Sequence, residues 1–458
     1  MNNNLTAILN IINEIENRKK QFIIQKDDKT APLLKNLGVT CFHDAATQLF
    51  YRIEELKDFL TSDKIYNQYP KQFNINGKMR DNPFVNWLDI MREMNKATGI
   101  TIDFKTLQTK VPITCSVLFS GHSIQQDSQE FLSKMLDFMT CNGMEKKEHG
   151  SLKKYNCTNN IARDKLGIDD PRNFLSIVTE DHICDLNKSL DKTFIRPKKE
   201  EDPKDYDRSL NKLDIKWNKL VLNQKMWEDY RIQKWAELEK GYNSCRNYTI
   251  NKSELEYFLK LEFNEPSEED KKNPDYKPKD IATVIKDMMD FNLPDDQPTK
   301  FMAKENRISD QNVNYNIVAK RRNYKPNKYL LVHLNIFGTK MTSTGTIEKF
   351  KKTHDIILAG SSGEFVFTYL DNKTEKQKTY ELIGMVNHGG SLGGGHYIAH
   401  IKYNNKWYEY NDMSSNIHEI SDITQAYKSA YMVLYREKHD DLFETIDINN
   451  VPAKLTNY

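Results

Sequence analysis

The chain has 458 residues, of which 38% are hydrophobic and 29% charged, enough apolar material for a sizeable core and too much for wholesale disorder. Its 67 basic and 65 acidic side chains leave a net charge of +2, so no global field points to a nucleic-acid partner, and no apolar run is long enough to cross a bilayer. Six scattered cysteines, none in a C-x-x-C pair, predict reduced thiols in an intracellular protein, in cytoplasm or nucleus.

In chain order, residues 5–25 carry Leu5, Ile8, Leu9, Ile12, Ile15 and Ile23 at helical spacing, which predicts an amphipathic helix packed on the body. Residues 26–31 read as a linker, so 1–31 form an N-terminal extension. Helical patterns run from Leu34 to Met139, broken by a turn-rich stretch from Asn74 to Pro83. The stretch Ser123 to Met139 predicts a helix with Phe131, Leu132, Met135, Leu136 and Met139 on one face. Charged, proline-punctuated linkers at 197–208 and 265–279 bound a long helix expected over 209–240, so 197–280 reads as a helical insertion. After residue 310 the period becomes that of strands: Tyr329 to Phe337, Phe365 to Leu370, Tyr380 to Val386, His396 to Tyr403, Lys406 to Tyr410 and Ala430 to Tyr435. Helices first and strands last predict an α+β fold.

Three features carry chemistry. Cys41 follows a glycine turn and opens a helix, where unsatisfied backbone amides favour thiolate over thiol. His396 opens a strand behind Gly393, Gly394 and Gly395, which permit close approach of an extended substrate. The Asn404-Asn405 turn predicts a hairpin that brings Asn411 or Asp412 back beside His396, where either residue could hold the imidazole N–H. Cysteine in the helical half, followed by histidine and Asn/Asp in the C-terminal strands, is the papain-like order.

At these residues the chain resembles the ubiquitin-specific protease (USP) family. Asn36-Leu37-Gly38-Val39-Thr40-Cys41-Phe42 is similar to its cysteine box, and Gln125-Gln126-Asp127-Ser128-Gln129-Glu130-Phe131-Leu132 to its Q-x-D-x-Q-E-F-L helix. Tyr380 to Ile401 resembles its histidine box, Trp407 to Asp412 its continuation, and Ala430 to Tyr435 its closing strand. The resemblance implies a papain-like USP fold with a helical thumb (about 32–150) and a β-rich palm and fingers (about 170–445) in a catalytic domain of 32–445, followed by a tail of 446–458. It implies Cys41 as nucleophile, His396 as general base, Asn411 as third catalytic residue with Asp412 in reserve, and Asn36 as oxyanion donor. Asp127 and Glu130 would meet the arginines of ubiquitin's basic tail, and Tyr397 would wall the narrow passage for its two terminal glycines.

The implied reaction is thiol-dependent hydrolysis of the isopeptide bond after ubiquitin's C-terminal glycine, with ubiquitin and ubiquitinated proteins as partners and no cofactor. A catalytically weak or inactive ubiquitin-binding scaffold, and a peptidase for another ubiquitin-like modifier, are the alternatives. Four points depart from the family. Asn187 stands where a second cysteine would follow Cys184, and 305–318 holds no cysteine, so no structural zinc is expected. Ile336 replaces the usual arginine before Phe337, Asp44 stands where the family usually has Asn, and Ala45 where it often has Ser. A carboxylate about one helical turn from Cys41 would oppose thiolate formation if it faced the sulfur.

Overall fold

The structure, a computed structural model, describes residues 30–75, 78–97, 102, 104–119, 126–139, 145–148, 151–154, 174–185, 194–195, 248–263, 265–289, 314–315, 318–341, 346–372, 374–391 and 394–438. The helices expected over 5–25 and 209–240, and the tail from 446, lie outside these residues. The chain divides into two compact units, one drawn from Met1–Arg172, His333–His354 and Leu382–Tyr435, the other from Asn173–Val332, Asp355–Glu381 and Arg436–Tyr458.

The first unit is built around helix α1 (Cys41–Tyr51), whose residues from Cys41 to Phe50 are all buried. A helix buried all round must satisfy its own polar side chains. Thr47 donates to the His43 carbonyl (2.7 Å) and accepts from the Trp87 indole (2.8 Å), and Gln48 donates to the Pro32 carbonyl (2.7 Å). After α2 (Glu54–Thr61) comes α3 (Pro83–Lys96), which starts where the Asn82 side chain accepts from the Phe84 amide and Pro83 fills the first turn. Trp87 of α3 packs its ring 4.7 Å from Phe50 of α1. Helices α4 (Phe104–Phe119) and α5 (Ser128–Met139) follow, and the expected face of α5 is buried. Helix α5 starts at Ser128 rather than Ser123 because Asp127 caps it, its Oδ1 accepting from the Glu130 amide at 2.8 Å.

The turn-rich stretch before α3 holds two short antiparallel strands, Gln72–Ile75 and Lys78–Asp81. The sheet of this unit runs in the order His418–Ile420, Lys406–Tyr410, Gly394–Tyr403, Thr374–Ser391 (from Leu382 onward), Ala430–Lys438 (up to Tyr435). Asn404 and Asn405, at φ 49° and 60°, make the tight hairpin turn that the sequence announces. Helix α1 lies on this sheet over Gly384, where an added Cβ would sit 2.8 Å from Leu49 Cδ1 and 3.2 Å from Ile401 Cδ1. Only glycine admits the helix this closely.

In the second unit a three-stranded antiparallel sheet runs Val318–Pro326, Ile177–Asp185, Tyr248–Glu256. The last of these strands falls within 197–280. Glu364–Asp371 and the first half of Thr374–Ser391 form a second antiparallel pair. Buried Asn323 joins it to the first sheet, donating to the Leu370 carbonyl and accepting from the Leu370 amide, both at 2.9 Å. Helix α6 (Ile281–Met289) buries Ile281, Val284, Ile285 and Met289. The strand expected over Tyr329 to Phe337 is two: it stops at Leu334, the Ile336 amide turns back to the Leu334 carbonyl (2.7 Å), and a new strand, Phe337–Met341, pairs with Ile347–Lys351.

Candidate active site

The first unit brings the two ends of the motif series together. Lys35 Nζ donates to the Ser414 carbonyl at 2.5 Å across 379 positions, and the Asn36 amide donates to the Asp412 carbonyl at 3.2 Å. Between Asn36 and α1 the chain turns at Gly38, whose φ of +118° is strained for any residue with a Cβ. Asn36 Oδ1 accepts from the Gly38 amide (2.6 Å), Thr40 Oγ1 accepts from the Leu37 amide (3.0 Å), and Thr40 Oγ1 donates to Asp44 Oδ2 (3.0 Å). This closed set of bonds delivers Cys41 to the first turn of α1.

Cys41 is buried, and the backbone amide of Tyr397, one residue beyond His396, is among the groups that favour its thiolate. Burial first, then the charges of Asp412 and Asp44, push its thiol up to about 11, against the Tyr397 and Phe42 amides, which favour thiolate. The expectation that a helix start lowers this thiol is therefore corrected. The amide field is present, but loss of water around the sulfur outweighs it.

His396 is half-buried, with Nε2 3.0 Å from Asn411 Oδ1 and 3.5 Å from Asp412 Oδ1. The same Asn411 oxygen accepts from the Met413 amide at 3.1 Å. An amide N–H can only donate, so the atom facing His396 is the Asn411 oxygen, and Nε2 carries the imidazole proton. Nδ1 is left with the lone pair. Between the two candidates that the sequence left open, Asn411 makes the hydrogen bond, and Asp412 stands farther off and buried.

The other candidates are placed less simply. Asp127 caps α5 and accepts through Oδ2 from the Tyr431 hydroxyl. Glu130 is exposed and pairs with Lys134 at 2.8 Å, one turn along α5. Tyr397 is 4% exposed, its ring lying 4.7 Å from that of His388 and 5.8 Å from that of Tyr431. Sequence reasoning missed Tyr431, His43 and Lys351. Lys351 donates to the His388 carbonyl (2.6 Å) and the Gly390 carbonyl (3.3 Å), holding the strand end that precedes His396. None of the three carried a sequence signal; the Thr40–Asp44 bond did, in the i, i+4 spacing of a hydroxyl and a carboxylate. Among the described residues no group of three or more His, Cys, Asp or Glu side chains is arranged to hold a metal ion, and no helix is long and apolar enough to cross a membrane.

An imidazole oriented by an asparagine, on a strand end tied to the turn that opens at a buried cysteine, is an arrangement that cysteine chemistry can use. The family model described as ubiquitin carboxyl-terminal hydrolase matches residues 34–435, and the chain belongs to that family. Among curated relatives, Arabidopsis thaliana ubiquitin carboxyl-terminal hydrolase 5 is 34% identical over 116 residues, which are 24% of this chain and 12% of that protein. Mus musculus ubiquitin carboxyl-terminal hydrolase 4 is 29% identical over 131 residues, 28% of this chain and 12% of that protein. The matched segments thus span about an eighth of those relatives' length. A solved structure of the SAGA Ubp8/Sgf11/Sus1/Sgf73 DUB module bound to ubiquitin aldehyde is similar in fold, with TM-score 0.52 and 15% identity, covering 91% of this chain and 70% of that one. The α+β fold expected from the sequence is that of this neighbour.

Proposed function

We propose that the chain is a thiol-dependent deubiquitinase that hydrolyses the isopeptide bond after the C-terminal glycine of ubiquitin. The observation that carries the reading is the His396 imidazole held by Asn411 at 3.0 Å, on a strand end that the bond from the Asn36 amide to the Asp412 carbonyl ties to the turn before Cys41. His396 Nδ1 takes the thiol proton as Sγ bonds to the carbonyl carbon of the terminal glycine. The C–N bond then breaks, the imidazolium returns that proton to the leaving lysine amine, and a thioester remains. Water, deprotonated by the same imidazole, attacks the thioester and releases the glycine carboxylate and the thiol. Asn36 donates its side-chain amide to the developing oxyanion, a contact whose loss typically costs on the order of 100-fold in rate.

Asp127 and Glu130, at the start of α5, present carboxylates to the arginines of the ubiquitin tail. Tyr397 serves from beneath, as packing under the passage and through its backbone amide. Ubiquitin as partner is supported by the family and by the ubiquitin aldehyde bound in the related DUB module. The free thiols of Cys41 and Cys115 fit an intracellular site, in cytoplasm or nucleus. The second reading is a catalytically weak or inactive ubiquitin-binding scaffold of the same fold.

A ubiquitin probe with a C-terminal electrophile separates the two. Covalent labelling of the native chain, lost in Cys41→Ala, is the expected result. Ubiquitin binding without labelling would leave the scaffold, and preferential labelling by a probe built on another modifier would change the substrate.

A further inference from the structure

The strand Thr374–Ser391 ends, just before His396, in residues with almost no side chains of their own. Gly389 lies opposite His396, Gly390 opposite Gly395 and Ser391 opposite Gly394. Bulk is not admitted here: a Cβ added at Gly395 would sit 2.3 Å from the Gly389 carbonyl oxygen and 2.4 Å from His388 Nε2. A glycine run loses the most freedom on ordering and has no side chain to pack, so this strand end must be held from outside.

Bonding groups of successive residues in a strand point to opposite edges. The His388 amide donates to the Ser429 carbonyl at 3.0 Å, on the side of Ala430–Lys438. The His388 and Gly390 carbonyls therefore face that side, and the groups of Gly389 face His396. The neighbouring strand begins only at Ala430 and has no residue to offer Gly390. Lys351 stands there instead, its Nζ donating to the His388 carbonyl at 2.6 Å and the Gly390 carbonyl at 3.3 Å. Among the described residues no carboxylate pairs with this ammonium, and burial pushes its pKa down. Lys351 is also the register partner of Phe337, whose ring packs 5.3 Å from that of His388. One facing pair at the mouth of a hairpin thus engages one residue, by ring and by carbonyl. His388, lowered to about 4 by burial first and then by the ammonium, stays neutral and does not repel it.

We propose that Lys351 is a positioning residue for this hydrolase: its ammonium stands in for the missing strand beside His388 and Gly390, and so fixes the glycine run whose ladder sets where the His396 imidazole lies. The proposal rests on the hydrolase reading for its purpose. Lys351 acts through His396 and not on the substrate, so its loss slows the chemical step and leaves affinity for ubiquitin in place.

Labelling of the full chain by the ubiquitin probe, followed against probe concentration, separates the maximal rate from the half-saturating concentration. Lys351→Met keeps the apolar stem and loses every donor. Its maximal rate should fall by about tenfold or more, with half-saturation within about threefold of native. Lys351→Arg keeps the charge and the donors and should recover most of that rate. Hydrogen exchange in the peptide covering Gly389 to Tyr397 needs no turnover. It should quicken in Lys351→Met and stay near native in Lys351→Arg. A native maximal rate in Lys351→Met, a change confined to half-saturation, a fall that Lys351→Arg does not reverse, or exchange that quickens equally in every peptide would overturn the proposal. If Lys351→Met does not fold, Lys351→Gln, whose shorter side chain cannot span both carbonyls, decides by the same criteria. A native chain that the probe does not label, but whose exchange changes as expected in the variants, keeps the clamp and loses the hydrolase reading instead.

Discussion

Asn411 accepts two hydrogen bonds through one oxygen, and that doubling decides which nitrogen of His396 keeps its lone pair. Asn411→Ala removes the acceptor and frees the ring to turn, so the rate of ubiquitin-probe labelling should fall by about 100-fold or more. Asn411→Asp keeps both bonds and should stay within about tenfold of the native rate. An equal, large loss in both variants would mean that the residue serves packing rather than orientation. Much of this site was legible in the sequence, because Cys41, His396 and Asn411 sit at the mouths of a helix, a strand and a hairpin, each with local punctuation. What stayed hidden was anything set by burial. The helix-start reading of Cys41 counted the amide field and had no access to the missing water. The hydrogen bond from the Asn36 amide to the Asp412 carbonyl joins distant parts of the sequence, so no spacing rule could find it.

At the scale of elements, Gly384 sets how closely α1 approaches the sheet. Gly384→Val should destabilise the protein by about 1–3 kcal/mol through overpacking and slow labelling of Cys41, since the displaced helix carries the nucleophile. Leu49→Ala in the same chain should recover part of both losses. Urea melts and labelling rates of the single and double variants measure this, and strict additivity would show that the two residues are not coupled. The C-terminal strands were readable because aromatic and branched apolar residues fill them and asparagine and glycine turns separate them. Ile177–Asp185 and Tyr248–Glu256 were not, since charged residues break their pattern: Glu180 sits buried, paired with Lys325 at 2.9 Å and His182 at 2.8 Å. The extension of Thr374–Ser391 beyond both ends of the expected strand follows from pairing on either side, with Glu364–Asp371 over its first half and Gly394–Tyr403 over its second. Pairing partners are tertiary facts, and local propensity does not contain them.

For the molecule as a whole, the buried ionisable groups give opposite pH dependences. His43, lowered to about 3, and His388, lowered to about 4, stay neutral on folding. Their unfolded forms take up protons below about 6.5, so this contribution is full above that pH and is lost as pH falls. Asp44 is raised to about 7. The folded chain then binds the extra proton, and this contribution is full below the unfolded value of about 3.9 and lost as pH rises to 7. In Asp44→Asn the second slope disappears while the histidines remain. The stability of that variant relative to the native chain should climb from pH 4 to 7 by up to about 1.4 kcal/mol per pH unit, read from denaturant midpoints. A constant difference across that range would mean that Asp44 does not bind the proton.

The stitch from Lys35 to Ser414, and from Asn36 to Asp412, has a further consequence during synthesis. A ribosome makes Cys41 well before His396 and Asn411. An arrested chain that stops before Asn411 should therefore fail to react with the ubiquitin probe while one extended past Tyr435 reacts. On the hydrolase reading, reactivity toward the probe should appear only once the strands that carry His396 and Asn411 fold back onto the turn before α1.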